Sequence, residues 1–142
     1  MNDMNDRLER RAARTARLAA DEEPIIAELV AAVGVAVVSV YDFVGERIAP
    51  GEAIPILTRH LGIKHEPNVR EGIIRALGIP TARDLAFKPL RDAYPLERDP
   101  TWQWVIANAL AGMASFEEVA DLPRIDQYEK LFPKRRRSSR PR

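Results

Sequence analysis

Equivalent residues recur about 33 positions apart in this chain, and this periodicity constrains the fold more than any other feature. One helix-like stretch repeats almost position by position: Pro67, Val69, Ile73, Ala76 and Leu77 correspond to Pro100, Trp102, Ile106, Ala109 and Leu110. The same shift taken backwards aligns Val40, Phe43, Val44 and Gly45 with Ile73, Ala76, Leu77 and Gly78. A single helical hairpin cannot bury its own apolar face, so stacked hairpins repeat their core residues at such a period. The repeat therefore predicts an all-α chain, a short right-handed α-solenoid of about three antiparallel helical hairpins.

Prolines and glycines mark where the predicted helices begin and end. Residues 7–20 form a helix with a thin apolar face, and Asp21-Glu22-Glu23-Pro24 begins a second helix that stops at Gly34. The β-branched run 35–38 is a connector, because the chain offers no second strand to pair with it. Apolar spacing predicts further helices over Ser39–Arg47, Glu52–Leu61, Asn68–Leu77, Ala82–Tyr94, Thr101–Met113, Phe116–Asp121 and Asp126–Leu131.

Charge is distributed unevenly and divides the chain into three parts. Residues 18–133 carry 11 basic and 18 acidic side chains, a net charge of −7, whereas both ends are rich in arginine. We expect a basic N-terminal arm or capping helix over 1–20, a helical repeat domain over 21–132 and a disordered basic tail over 133–142.

One stretch of the chain resembles a complete HEAT repeat. Glu52-Ala-Ile-Pro-Ile-Leu57 followed by Pro67-Asn-Val-Arg-Glu-Gly-Ile-Ile-Arg-Ala-Leu-Gly78 is similar to the helix, turn and second helix of that superfamily. The resemblance covers about residues 24–115, and a segment like 40–44 before Glu-Ala-Ile-Pro resembles small bacterial HEAT-repeat proteins. It implies an α-solenoid and, for the superfamily at large, protein binding. The third hairpin departs from the pattern through its longer loop, 95–100, and its two tryptophans.

Composition and motifs predict neither an enzyme nor a cofactor site. The chain has no cysteine, no Gly-x-Ser-x-Gly elbow and no phosphate-binding loop. The His65-Glu66 pair resembles one of the His-Glu pairs of HEAT-like deoxyhypusine hydroxylases, but one pair is too few for an iron centre. We interpret His60 and His65 as ordinary solvated histidines and expect no metal. No apolar signal core or membrane-length apolar run is present, which favours a cytoplasmic protein.

The second helix of each HEAT pair usually lines the concave face, and there the 33-residue register stacks polar residues. On an ideal helix the side chain of Trp104 points about 200° away from that of Trp102. If Trp102 faces the core, Trp104 therefore faces away from the core. The predicted partner-binding residues are Asp42, Arg70, Arg75, Gln103, Trp104 and Asn108. Two alternatives remain open: the arginines pair with nearby acids or brace the next repeat, and the 95–100 loop or the last helix covers Trp104.

These patterns favour a non-catalytic protein–protein interaction module, a scaffold or adaptor that binds an unidentified partner through its concave face. The alternative is a nucleic-acid-associated accessory protein whose basic arms contact phosphates without sequence specificity. Its candidate residues are Lys134, Arg135, Arg136, Arg137, Arg140 and Arg142. The acidic body opposes a phosphate cradle. A solvated appendage is the commonest role of such a tail, and docking on the acidic body is a further alternative. Monomer and homodimer both remain open.

Overall fold

The computed structural model describes residues 3–46 and 48–134, without the side chains of residues 14–19 and 46. All regular structure in these residues is helical, as predicted. The α-helices are α1 (Asp3–Val33), α2 (Ile54–His60), α3 (Pro67–Leu77), α4 (Arg83–Ala93) and α5 (Pro100–Ala111). Short 3₁₀ helices connect them at Val40–Glu46, Gly51–Ala53, Pro80–Ala82, Tyr94–Leu96, Phe116–Glu118 and Ile125–Leu131.

The chain divides into two compact units, Met1–Ile73 and Ile74–Arg142. In the first unit, α1 packs against α2 and the 3₁₀ turn that precedes it, and the core includes Ile25, Leu29, Val40, Phe43, Leu57, Val69 and Ile73. In the second unit, α4 and the 3₁₀ helix Ile125–Leu131 both pack on α5, around a core that includes Leu77, Leu90, Tyr94, Ile106, Leu110 and Ile125. The apolar positions of the 33-residue register thus contribute to both cores.

Helix α1 runs without interruption through Pro24, so the predicted helix start at Asp21–Pro24 is wrong. Proline inside a helix removes one hydrogen bond and crowds the preceding turn. Two features offset this cost: the alanine- and arginine-rich stretch before it has high helix propensity, and Ile25 and Leu29 after it are fully buried. The predicted stop is confirmed, since Gly34 adopts a φ of 78° and its N–H donates to the Val30 carbonyl at 2.9 Å.

The acids before Pro24 bind backbone groups of other segments. Asp21 Oδ2 accepts a hydrogen bond from the Glu66 N–H at 3.1 Å. Glu22 Oε2 accepts from the Val40 N–H at 2.9 Å and from the Ser39 hydroxyl at 3.0 Å. These two carboxylates therefore join α1 to the starts of later segments, which explains why acidic residues occur in the middle of a helix.

Beyond α1 the boundaries of the α-helices follow the predictions. The helix predicted over Phe116–Asp121 is a 3₁₀ helix that ends at Glu118, and the one predicted over Asp126–Leu131 is also 3₁₀. The stretch 35–38 is a connector, and α3, α4 and α5 lie within one or two residues of their predicted limits. The helix predicted over Ser39–Arg47 is instead a 3₁₀ helix whose helical dihedrals break at Val44 and Gly45. Gly45 has a φ of 78°, a left-handed conformation that ends the helix, and Arg47 lies outside the described residues.

Glu22 gives a direct stability prediction. Its side chain is only 7% exposed, and Glu22→Ala leaves the buried Val40 N–H without its acceptor. We expect a loss of about 1–2 kcal/mol in the free energy of unfolding, measured by urea titration. The matched control is Glu23→Ala, because Glu23 is the exposed neighbour on the same helix and should change stability by less than about 0.5 kcal/mol. Equal losses in the two variants would contradict the assigned role.

Candidate functional site

Trp104 lies on α5 with 38% of its surface exposed, although most residues of that helix are buried. The guanidinium carbon of Arg75 lies 5.6 Å from the centroid of the indole ring, which is the geometry of a cation–π contact. Asn108, half-buried, follows Trp104 by four positions and therefore occupies the same face of α5. We call Arg75, Trp104 and Asn108 the α5 patch. It contains three of the six predicted partner-binding residues.

Gln103 occupies the interior and not the predicted exposed face. Its side chain is 3% exposed, its Nε2 donates to the Glu97 carbonyl at 2.9 Å, and its Oε1 accepts from the Tyr128 hydroxyl at 3.2 Å. The neighbouring loop and the last 3₁₀ helix leave backbone and hydroxyl groups facing α5, and a carboxamide can satisfy both kinds of group. Gln103 thus supports the structure around the start of α5.

Asp42 and Arg70, the other two predicted residues, belong to the first unit. Asp42 Oδ2 accepts from the Val38 N–H at 2.8 Å and the Ser39 N–H at 3.3 Å. Asp42 thus reaches back to backbone N–H groups at the start of its helix, as the acidic residue of a capping box does. Arg70 is half-buried on α3. The capping bonds account for Asp42 without a partner protein.

The two histidines form a polar network that the sequence interpretation missed. His60 is 4% exposed, and the side chain of His65 is 7% exposed. His60 Nε2 lies 2.8 Å from Glu28 Oε1, and His60 Nδ1 lies 2.9 Å from His65 Nε2. His65 Nδ1 in turn faces Asp21 Oδ2 at 3.8 Å. Neither histidine is the solvated residue that the sequence suggested.

Helical spacing could have revealed the burial of His60. It follows Ala53 and Leu57 at the i, i+4, i+7 spacing of an apolar helix face, and all three residues are buried. Nothing in the sequence alone would have placed His65 against it. That contact depends on the conformation of the 61–66 turn, in which the Glu66 N–H donates to Asp21 of α1.

Burial and the nearby Arg59 guanidinium lower the pKa of His60 below its usual value of 6.5. The Glu28 carboxylate acts in the opposite direction, but it also binds Arg59, so its charge is shared. A carboxylate only accepts hydrogen bonds, so His60 Nε2 carries a proton and the neutral ring accepts from His65 at Nδ1. Burial therefore prevails, and the neutral His60 ring is favoured at pH 7.

Ion pairs in the second unit connect α4 to the segment after α5. Arg83 binds both carboxylate oxygens of Glu118, at 2.8 and 2.6 Å, and also donates to the Met113 carbonyl at 3.1 Å. Hydrogen bonds from Arg83 and from the Ser115 N–H lower the pKa of Glu118 to about 2. Ser115 occupies the N-cap position of the 3₁₀ helix Phe116–Glu118, and its N–H donates to Glu118 at 2.8 Å. These hydrogen bonds hold α4 against the segment after α5.

The basic tail lies mostly outside the described residues. Lys134 is exposed, and Arg135, Arg136, Arg137, Arg140 and Arg142 are not described. Their contact with nucleic acid stays a prediction.

Comparison of the chain with protein-family models, curated proteins and solved structures finds no match. The resemblance to HEAT repeats therefore stays a prediction from the sequence. Within residues 3–46 and 48–134, no three His, Cys, Asp or Glu side chains are grouped so that they could hold a metal ion. In the same residues, every helix is too short or too polar to cross a bilayer.

Proposed function

We propose that this protein is a non-catalytic module that binds another protein, and that the contact is centred on the α5 patch. The observation that carries the proposal is the partly exposed Trp104 beneath the Arg75 guanidinium. Tryptophan and arginine are the residues most enriched among those that dominate binding energy at interfaces. The cation–π contact holds the indole in one orientation, so less conformational entropy is lost on binding.

The proposed architecture is a short HEAT-like solenoid in which α3 and α5 are the second helices of successive hairpins. Two observations support it: the apolar register at 33 residues, and the burial of Val69 and Ile73 on α3 and of Ile106 and Leu110 on α5. In such a solenoid the second helices line the concave face, so α5 would contribute Trp104 and Asn108 to the binding surface. The architecture and the partner are separate hypotheses, and each can fail alone.

The test is the affinity of purified variants for the protein that co-purifies with the full chain. Trp104→Ala should weaken binding by about 30-fold, which corresponds to about 2 kcal/mol at a central interface residue. The matched control is Leu96→Ala, because Leu96 is an exposed apolar residue of the same unit, 80% accessible, and lies outside the patch. Circular dichroism must show that both variants remain folded. Wild-type affinity in Trp104→Ala would place the binding surface elsewhere.

A further inference from the structure

A cleft of about 700 Å³ opens in the second unit beside the start of α5. Its lining residues are Pro95, Arg98, Pro100, Gln103, Arg124 and Gln127. They provide two guanidinium groups, two carboxamides and two proline rings, with no carboxylate among them. The cleft therefore carries positive charge within a body, residues 18–133, whose net charge is −7.

The arginines of this cleft differ from the others of their unit. Of the five arginines in the described part of the second unit, Arg83 and Arg91 bind carboxylates and Arg75 covers Trp104. The guanidinium groups of Arg98 and Arg124 have no hydrogen-bond or ion-pair partner within residues 3–46 and 48–134. Both unpaired guanidinium groups lie on the same cleft, where the planar N–H donors suit a carboxylate or phosphate.

The backbone at Arg124 adds an independent observation. Its φ of 59° and ψ of 14° place it in the left-handed region, and it is the one non-glycine residue there within the described chain. Glycine or asparagine adopts this conformation at less cost than arginine does. Strained residues of this kind concentrate at binding sites, where the side chain is needed in spite of the backbone.

The floor of the cleft is rigid. Gln103 is 97% buried, and its carboxamide is held at both ends by the Glu97 carbonyl and the Tyr128 hydroxyl. The Tyr128 hydroxyl also lies 3.4 Å from the Pro100 carbonyl, which ties the last 3₁₀ helix to the start of α5. The nearby carboxylate of Asp99 accepts from the Thr101 N–H at 2.8 Å, which holds it at the start of α5. The floor of the cleft is therefore fixed by hydrogen bonds within the second unit.

We propose that this cleft binds a ligand with two carboxylate groups, one for each of Arg98 and Arg124. Its volume lies within the range of cavities that hold small organic ligands. The carboxylates belong either to a free dicarboxylic acid or to adjacent acidic side chains of a bound peptide. The cleft is a different surface from the α5 patch, so the proposal does not depend on the function proposed above.

The experiment titrates the full-length protein with glutarate, with a capped Glu-Glu dipeptide and with inorganic phosphate, followed by nuclear magnetic resonance at low salt. We expect saturable shifts of the Arg98 and Arg124 signals, and an affinity that falls as salt is added. Arg98→Gln and Arg124→Gln should each weaken binding by about tenfold or more. The probe that binds most tightly identifies the source of the carboxylates. Absence of saturable binding by either carboxylate probe, or tighter binding of phosphate, would overturn the proposal.

Two further variants separate ligand binding from structural effects. Lys88→Gln is the control for charge alone, because Lys88 is exposed on α4 and pairs with Asp92 away from the cleft. It should bind the carboxylate probes as the wild type does, and equal weakening would mean that the attraction is unspecific. Arg124→Gly removes the guanidinium and relieves the left-handed strain, so it should melt at or above the wild-type temperature while losing affinity about tenfold. Retained affinity in this variant, or lost affinity with a lower melting temperature, would make Arg124 a structural residue and refute the site.

Discussion

Replacing Gly112 by alanine is expected to lower the free energy of unfolding by about 3 kcal/mol or more. A Cβ atom at this position would lie 2.0 Å from the carbonyl oxygen of Gly78 and 2.7 Å from its carbonyl carbon. Both are backbone atoms, so no side-chain rotation can relieve the overlap. The chain must move where α5 ends beside Gly78, and the buried Leu110 and Met113 on either side would move with it.

The cause of this loss is the close approach and not the conformation of Gly112. Its φ of −77° and ψ of −11° are accessible to alanine. At such a position a change from glycine to alanine ordinarily stabilises a protein by about 0.4–1 kcal/mol, because it restricts the unfolded chain. Gly78 belongs to the same contact, since a Cβ there would lie 2.9 Å from Ala109 Cα. The steric cost of Gly112→Ala is several times larger than this entropic gain, so the net change in the free energy of unfolding is a loss.

Gly51→Ala is the matched control for this prediction. Gly51 is exposed and outside the left-handed region, and a Cβ there would meet no atom within 4 Å. Its substitution should leave stability unchanged or raise it by up to about 1 kcal/mol. Urea unfolding followed by circular dichroism measures both variants. If Gly112→Ala is as stable as Gly51→Ala, the backbone contact between Gly78 and Gly112 is wrong.

The sequence predicted the helical class because local signals determine it. Proline breaks and apolar spacing located α3, α4 and α5, and Gly34 ended α1 as expected. These features depend on a few neighbouring residues, so they can be recognised without tertiary structure. The continuity of α1 through Pro24 could not, because its cost is offset by the burial of Ile25 and Leu29 against distant segments.

The candidate site was predictable only in part, because its contacts also depend on tertiary packing. Helical geometry separated Trp104 from the core, but its contact with Arg75 depends on how α5 packs in the second unit. Gln103 resembled a surface residue because its type is polar, whereas its hydrogen-bond partners come from other segments. The sequence also could not show that the guanidinium groups of Arg98 and Arg124 lack a partner among the described residues, because pairing depends on the residues around them and not on their spacing.

The histidine network predicts that the protein loses stability as pH falls below about 6.5. The folded state lowers the pKa of His60 through burial and the Arg59 guanidinium, whereas in the unfolded chain the ring titrates near 6.5. Between these two values the unfolded state binds more protons than the folded state, so the free energy of unfolding falls on acidification. One such group contributes at most about 1.4 kcal/mol per pH unit.

The geometry of the pair adds a second reason for this loss. The neutral His60 ring accepts at Nδ1 from His65 Nε2, which lies 2.9 Å away. A proton added at His60 Nδ1 would face this N–H, so the hydrogen bond between the rings would be lost unless His65 became the acceptor.

Urea titrations at about pH 7.5, 6.5 and 5 test this prediction in the wild type and in His60→Gln. The wild type should lose stability steadily over this range, whereas the variant should be less stable at pH 7.5 but nearly independent of pH. The Glu118 carboxylate contributes little in this window, because it titrates near 4.5 in the unfolded chain and its pKa of about 2 in the folded protein is lower still. Arg59→Gln should reduce the slope, since it removes one of the two causes that lower the pKa of His60. Equal slopes in the wild type and His60→Gln would show that the network does not control the acid stability of the first unit.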